Sequence, residues 1–220
     1  MNYVVLDLEM NSWQSKVGTD NHGKLFIIDG KKKLNIQFPF HETIEIGAIK
    51  LNENFEVIDT FQRFIKPVNP LTQWIQDFTG ISPLQINEAK NFVFVMNEFL
   101  KWTGNDIKFC TWSNYDSKHL IKECRLKSYN KIENIKNLFM NYINIQSLFK
   151  VEFNKRAGIF GIGMKNDYGL KTTLKILNIN NDTQHHKALD DAMDTVDIFA
   201  SIHNGYLDYV TDVFRQKVVA

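Results

Sequence analysis

The stretch Val4-Val5-Leu6-Asp7-Leu8-Glu9-Met10 constrains this chain more than any other. Its apolar, β-rich run reads as a central strand, and the two-residue period puts Asp7 and Glu9 on one face. Two carboxylates held side by side in a buried setting repel each other and lose hydration. They persist there only with a cation between them or with a proton retained. The strand therefore marks either a frayed, water-facing edge or an ion site.

The 220 residues, 44% hydrophobic and 13% aromatic, suffice for one large domain spanning 1–220. Its apolar runs fall short of the ~18 residues a membrane span needs, and no basic segment followed by an apolar one opens the chain, so a cytoplasmic location is expected. Cys110 and Cys124 lack metal-ligand spacing and read as reduced core thiols. A net charge of +1 means that any nucleic-acid binding must come from a local patch.

In chain order, 25–28 and Leu34 to Phe38 flank Asp29-Gly30, a dipeptide favouring a type I′ turn, with Lys31, Lys32 and Lys33 behind it. The 11–42 segment thus reads as an inserted β-hairpin: a lid reaching for phosphates, or a hairpin packed on its own domain or a second subunit. Thr43 to Leu51 and Phe55 to Ile65 are strands joined by a tight turn. Helical spacing follows over 71–78, then a loop around Thr79 to Pro83 and a longer helix from about 87 to 102. Ile107 to Trp112 is a strand running into a helix start where Ser113 and Asp116 have capping-box spacing. After a Lys- and Asn-rich connection come a short strand near 142–145, a helical segment over 147–153, and a glycine-bearing loop over 154–167 that fits no phosphate-binding pattern.

From Ala188 onward, Ala188, Ala192, Thr195 and Phe199 form a helix face that also carries Asp191, while Asp190, Asp194 and Asp197 fall on a solvated side. His186 precedes Asp191 by one turn and could swing over whatever that acid binds.

Together these segments resemble the DEDDh 3′ to 5′ exonucleases of the ribonuclease-H-like fold. Asp7-Leu8-Glu9 matches the first motif, Asp116 in Trp112-Ser113-Asn114-Tyr115-Asp116 the second, and His186-Lys187-Ala188-Leu189-Asp190-Asp191-Ala192 the third, which selects His186 and Asp191 over His185 and Asp190. Ile44-Glu45-Ile46-Gly47-Ala48 and Thr79-Gly80-Ile81 also look like this family, with the nearest likeness to the sporulation inhibitor KapD and ERI-1-type exonucleases. The resemblance implies an α/β fold with a mixed sheet of about five strands flanked by helices. It implies two Mg²⁺ or Mn²⁺ ions: Asp7 bridging both, Glu9 and Asp191 on the first, Asp116 on the second, and His186 as general base. The substrate is then the 3′ end of single-stranded RNA or DNA, RNA favoured, released as nucleoside 5′-monophosphates. Leu8, Met10, Phe78, Thr79, Gly80, Ile81, Trp112 and Tyr115 are candidates for the wall that holds it. A DNA-directed proofreading or repair exonuclease and a non-catalytic nucleic-acid-binding module are the rival readings. The sequence names no protein partner and leaves the oligomeric state open, a homodimer included.

Overall fold

A computed structural model of the chain describes residues 1–37, 40–157, 164, 166–180 and 186–219, the last six by backbone alone. Phe38 of the expected hairpin, Gly158, Gly161 and Gly163 of the expected loop, and His185 lie outside these residues.

Strand β1 (Asn2–Asn11) is followed by a small sheet of β2 (Gly18–Thr19), β3 (Leu25–Asp29) and β4 (Lys32–Asn35). Then come β5 (Glu42–Leu51), β6 (Val57–Lys66), helices α1 (Gln73–Thr79) and α2 (Pro83–Glu88), β7 (Lys90–Asn91), α3 (Phe92–Thr103), β8 (Ile107–Thr111), α4 (Tyr115–Leu126), α5 (Ile132–Leu138) and β9 (Ile143–Asn144). Helices α6 (Ile145–Ala157), α7 (Leu170–Leu177), α8 (Ala188–His203) and α9 (Tyr206–Val219) complete the order. The main sheet runs β7-β6-β5-β1-β8-β9. It is mixed, with β1 antiparallel to β5 and parallel to β8.

The two-residue alternation of β1 sorts its side chains between two cores. Val4, Leu6 and Leu8 join Phe92, Met96 and Phe99 of α3 and Leu120 of α4 on one face, while Val5 joins Phe149 of α6, Leu174 of α7 and Phe199 of α8 on the other. Asp7 and Glu9 continue the Val5 row, so they emerge on the α8 face where the apolar packing stops.

Several expectations are corrected. The main sheet has six strands, the short β7 having gone unanticipated. Asp29 pairs with Lys32, so the hairpin turn is Gly30-Lys31, one residue later than expected. Gly30 takes the positive φ of 59° that opens such a turn, and Asp29 instead accepts a hydrogen bond from the Gln73 N–H at 2.8 Å, tying the insert to the start of α1. α2 occupies part of the expected loop, opened by a capping box between Ser82 and Gln85, and the longer helix begins only at Phe92. The Lys- and Asn-rich connection is largely helical, its polar residues covering the outer faces of α4 and α5. α6 continues to Ala157 through the start of the expected loop, and α7 was not anticipated. Asp194 is fully buried on α8 and not on a solvated side.

Gly47 fixes how α8 meets the sheet. It faces Asp7 across the β1–β5 pair, and a Cβ built there would lie 2.2 Å from the Ala188 carbonyl carbon and the Leu189 nitrogen. The helix backbone therefore rests directly on the strand, with no room for any side chain. Gly47→Val must lift α8, at about 1–3 kcal/mol for overpacking, a fall in Tm of about 2–12 °C by calorimetry. An unchanged Tm would mean that α8 is not seated on this glycine.

Candidate active site

Three elements bring the acids together. β1 presents Asp7 and Glu9 from the sheet centre, α4 begins where β8 ends beside β1 and holds Asp116 in its first turn, and α8 lies across the same strand ends with Asp191 in its own first turn. Ligand atoms of Glu9, His186 and Asp191 all lie within 4.8 Å of one another.

The electrostatics follow from that crowding. Burial, then the charges of Asp116, Asp191, Glu9 and Glu45, drives the Asp7 carboxyl well above the ordinary carboxylate range. Glu9 is pushed up to about 8, first by burial and then by Asp191, Glu45 and Asp116. Asp116 rises to about 7, again chiefly by burial, with Asp191 adding to it against a lowering backbone hydrogen bond. These are acids that hold protons near neutrality unless a cation replaces them. Oxygen donors with a single imidazole suit a hard divalent ion of the Mg²⁺ or Mn²⁺ kind, and the absence of thiolate from the cluster disfavours softer ones.

Asp116 reaches this cluster because it does not cap its helix. The capping box expected with Ser113 is absent: the N-cap of α4 is Asn114, whose side chain makes no capping hydrogen bond, and Ser113 Oγ accepts from the Tyr115 N–H at 3.1 Å. His186 sits just before α8 with a φ of 71°, a left-handed conformation that costs a non-glycine residue about 1–2 kcal/mol. Its ring lies 3.8 Å from that of Phe78, which is itself stacked on Trp74, and its Nε2 is 3.1 Å from Lys171 Nζ.

The candidate wall residues divide. Phe78, against His186, and Tyr115, next to Asp116 in the chain, are exposed, at 42% and 55%, and Met10 is half-buried. Leu8 points away from Asp7 and Glu9 into the opposite core, and Trp112 packs in the α6–α8 core, so both are primarily structural. Thr79, Gly80 and Ile81 build the end of α1. The Thr79 hydroxyl donates to the Ile75 carbonyl and accepts from the Ile81 N–H, while Gly80 caps the helix at a φ of 71°.

Two participants went unassigned in the sequence. Glu45 is fully buried opposite Glu9 in the β1–β5 register, accepting from Gln62 Nε2 at 2.6 Å and from the Ala188 N–H at 3.2 Å. It binds the first turn of α8 to β5, and its helix-facing position was implicit in the odd-numbered register it shares with Gly47. Lys171 belongs to α7, whose periodic stretch is too short to stand out from a loop in the sequence.

The RNase_T family, described as "Exonuclease", matches residues 4–199. The PolC-type DNA polymerase III of Bacillus subtilis (strain 168) is 28% identical over 148 residues, 67% of this chain and 9% of the relative. Human ERI1 exoribonuclease 2 is 22% identical, covering 87% of this chain and 27% of that protein. The chain thus spans about a tenth of the length of the PolC-type relatives. Among solved structures, the nuclease domain of 3′hExo, a DEDDh family member bound to rAMP, superposes with a TM-score of 0.66 at 20% identity, covering 94% of each chain. Escherichia coli exonuclease I with a dA16 oligonucleotide gives 0.62 at 15% identity, covering 94% of this chain and 42% of that one. These likenesses identify the fold as that of the ribonuclease-H-like exonucleases, and with residues 4–199 matched the chain belongs to the RNase T exonuclease family.

Proposed function

We propose that this chain is a divalent-metal-dependent 3′ to 5′ exonuclease that removes nucleoside 5′-monophosphates from single-stranded nucleic acid, RNA favoured. The observation that carries the reading is the convergence of Asp7, Glu9, Asp116 and Asp191 with His186, held in a strained backbone beside them. A scaffold would have no use for such a costly cluster. Similarity to ERI1 exoribonuclease 2 along most of the chain, and mutual coverage with the rAMP-bound 3′hExo domain, support RNA; the PolC-type relatives support DNA as the second reading.

Asp7, Glu9, Asp116 and Asp191 would hold two Mg²⁺ or Mn²⁺ ions, which when bound polarise the scissile phosphate and stabilise the attacking and leaving oxygens. His186, flanked by the Phe78 ring, accepts the proton of the attacking water in its neutral form. Phe78, 42% exposed and holding the His186 ring at 3.8 Å, offers an apolar edge beside the position of the terminal nucleotide.

Three measurements test this. The first is the pH dependence of stability. An acid whose folded pKa lies above its unfolded value binds its proton more tightly when folded, so ionising it destabilises. For Glu9 and Asp116 that penalty is absent below the ordinary values of 4.5 and 3.8, grows up to about 8 and about 7, and is complete above. In EDTA the wild-type Tm should therefore fall from pH 5 to 8.5 more steeply than that of Asp7→Asn, and Mg²⁺ should flatten the wild-type curve. Parallel EDTA curves for the two proteins would contradict the buried acid cluster.

The second measurement is cleavage of 5′-labelled RNA and DNA oligomers with Mg²⁺, Mn²⁺ or EDTA. Asp7→Asn should abolish stepwise shortening from the 3′ end while remaining folded, and near-wild-type cleavage by this variant would refute the assignment. Faster loss of DNA than of RNA would favour the second reading.

In the third, His186→Ala should lower the rate about 10²- to 10⁴-fold and keep the Mg²⁺-induced rise in Tm. Loss of that rise would make His186 a metal ligand and not the base.

A further inference from the structure

The far end of the insert and α4 enclose a groove of about 410 Å³ of which the roles above use only Tyr115, a candidate wall residue. Its lining is Phe40, His41, Tyr115, Lys118, His119 and Lys122, within the size range of ligand sites but unlike a typical apolar pocket. Rings and cations alternate in it. Phe40 stacks on His119 at 5.0 Å and 12°, Tyr115 stacks on the same imidazole at 6.1 Å and 25°, and the Lys122 ammonium lies 4.6 Å from the Phe40 ring centre. His41 is fixed from the near end of the insert, edge-on to Trp13 at 4.7 Å and 3.2 Å from Ser12 Oγ. Lys118 and Lys122, one turn apart on α4, are both exposed at the mouth.

The charge of the groove is positive at its open side. Glu123, next to Lys122 on α4, is fully buried and already engaged by Lys127 at 3.1 Å, His119 at 3.4 Å and the Thr43 N–H at 3.0 Å, so it does not neutralise the two lysines. Burial, and then the positive charges of His119 and Lys122, lowers the His41 pKa, which reports the same local field. Tyr115, which lines the groove, and Asp116 of the acid cluster are neighbours in the first turn of α4.

Resting on the exonuclease reading, we infer that this groove is a subsite for the nucleotides upstream of the 3′ end, with Lys118 and Lys122 on successive phosphates and the Phe40 and Tyr115 rings, backed by buried His119, receiving bases. Stacked rings threaded with cations are what an unpaired strand requires, and a duplex could not place its bases on them. Because Phe40 and His41 belong to the insert, this arrangement gives the long segment between β1 and β5 a role in binding that its lysine-bearing turn does not require.

The test compares strand lengths. Lys118→Gln/Lys122→Gln is assayed with Mg²⁺ on a dinucleotide and on a twelve-nucleotide single strand, and its affinity for the fluorescein-labelled twelve-mer in EDTA is measured by anisotropy at several salt concentrations. The expected result is a KM about tenfold higher for the twelve-mer and unchanged for the dinucleotide, with a salt slope shallower by about 1.4 for two lost phosphate contacts. Phe40→Ala, with both lysines intact, should raise the same KM about tenfold without altering the salt slope. Equal effects on both lengths, or an unchanged salt slope in the lysine variant, would overturn the subsite. If wild-type protein cleaves no strand, the exonuclease reading fails, while the anisotropy titration still decides whether the groove binds one.

Discussion

Mutual repulsion among buried carboxylates is the constraint around which this structure is arranged. Asp7 feels Asp116, Asp191, Glu9 and Glu45 at once, and its burial removes the water that would screen them. Such a cluster would push its own elements apart if each were not anchored away from the site. The anchors are two apolar cores, one on each face of β1, so that the sheet centre is held rigid while its strand end carries the charges.

Helix α8 shows how close that anchoring is. A glycine in β5 lets the helix backbone touch the sheet, and Glu45 accepts from the Ala188 N–H at the same place. Neither feature touches the reacting atoms in the proposed mechanism, yet both determine where Asp191 and His186 sit. A helix N-terminus also favours nearby negative charge, which offsets part of the cost of gathering Glu45, Glu9 and Asp191 there.

Much of this was legible in the sequence because it follows from period and spacing. The pair on β1 needs only the two-residue alternation, and the small residues Ala188 and Ala192 marked the face of α8 that carries Asp191. What could not be read has physical reasons. Local spacing gives Asp116 only as a helix cap, so its assignment to the site came from the motif resemblance alone; the tertiary position of β8 beside β1 is what turns it toward other acids. Asp194 looked solvated because surface and core aspartates have the same local signature. α7 offered too short a periodic stretch to be distinguished from a loop, and with it Lys171 was lost. The insert's turn was misplaced by one residue because both Asp29-Gly30 and Gly30-Lys31 place a glycine where positive φ is required, and the choice is made by Asp29 capping α1.

The parallel pairing of β1 with β8, and the seating of α8 across them, also set when the centre can exist. Asp7 and Glu9 lie on β1, whereas the helix that completes the cluster follows, among the described residues, seven other helices and every strand of the sheet. Contacts of such wide sequence separation form late, since a long loop must close before they return any free energy. The convergence of the acids therefore belongs to the closing step of folding, and a partly opened chain carries these residues without the site they form.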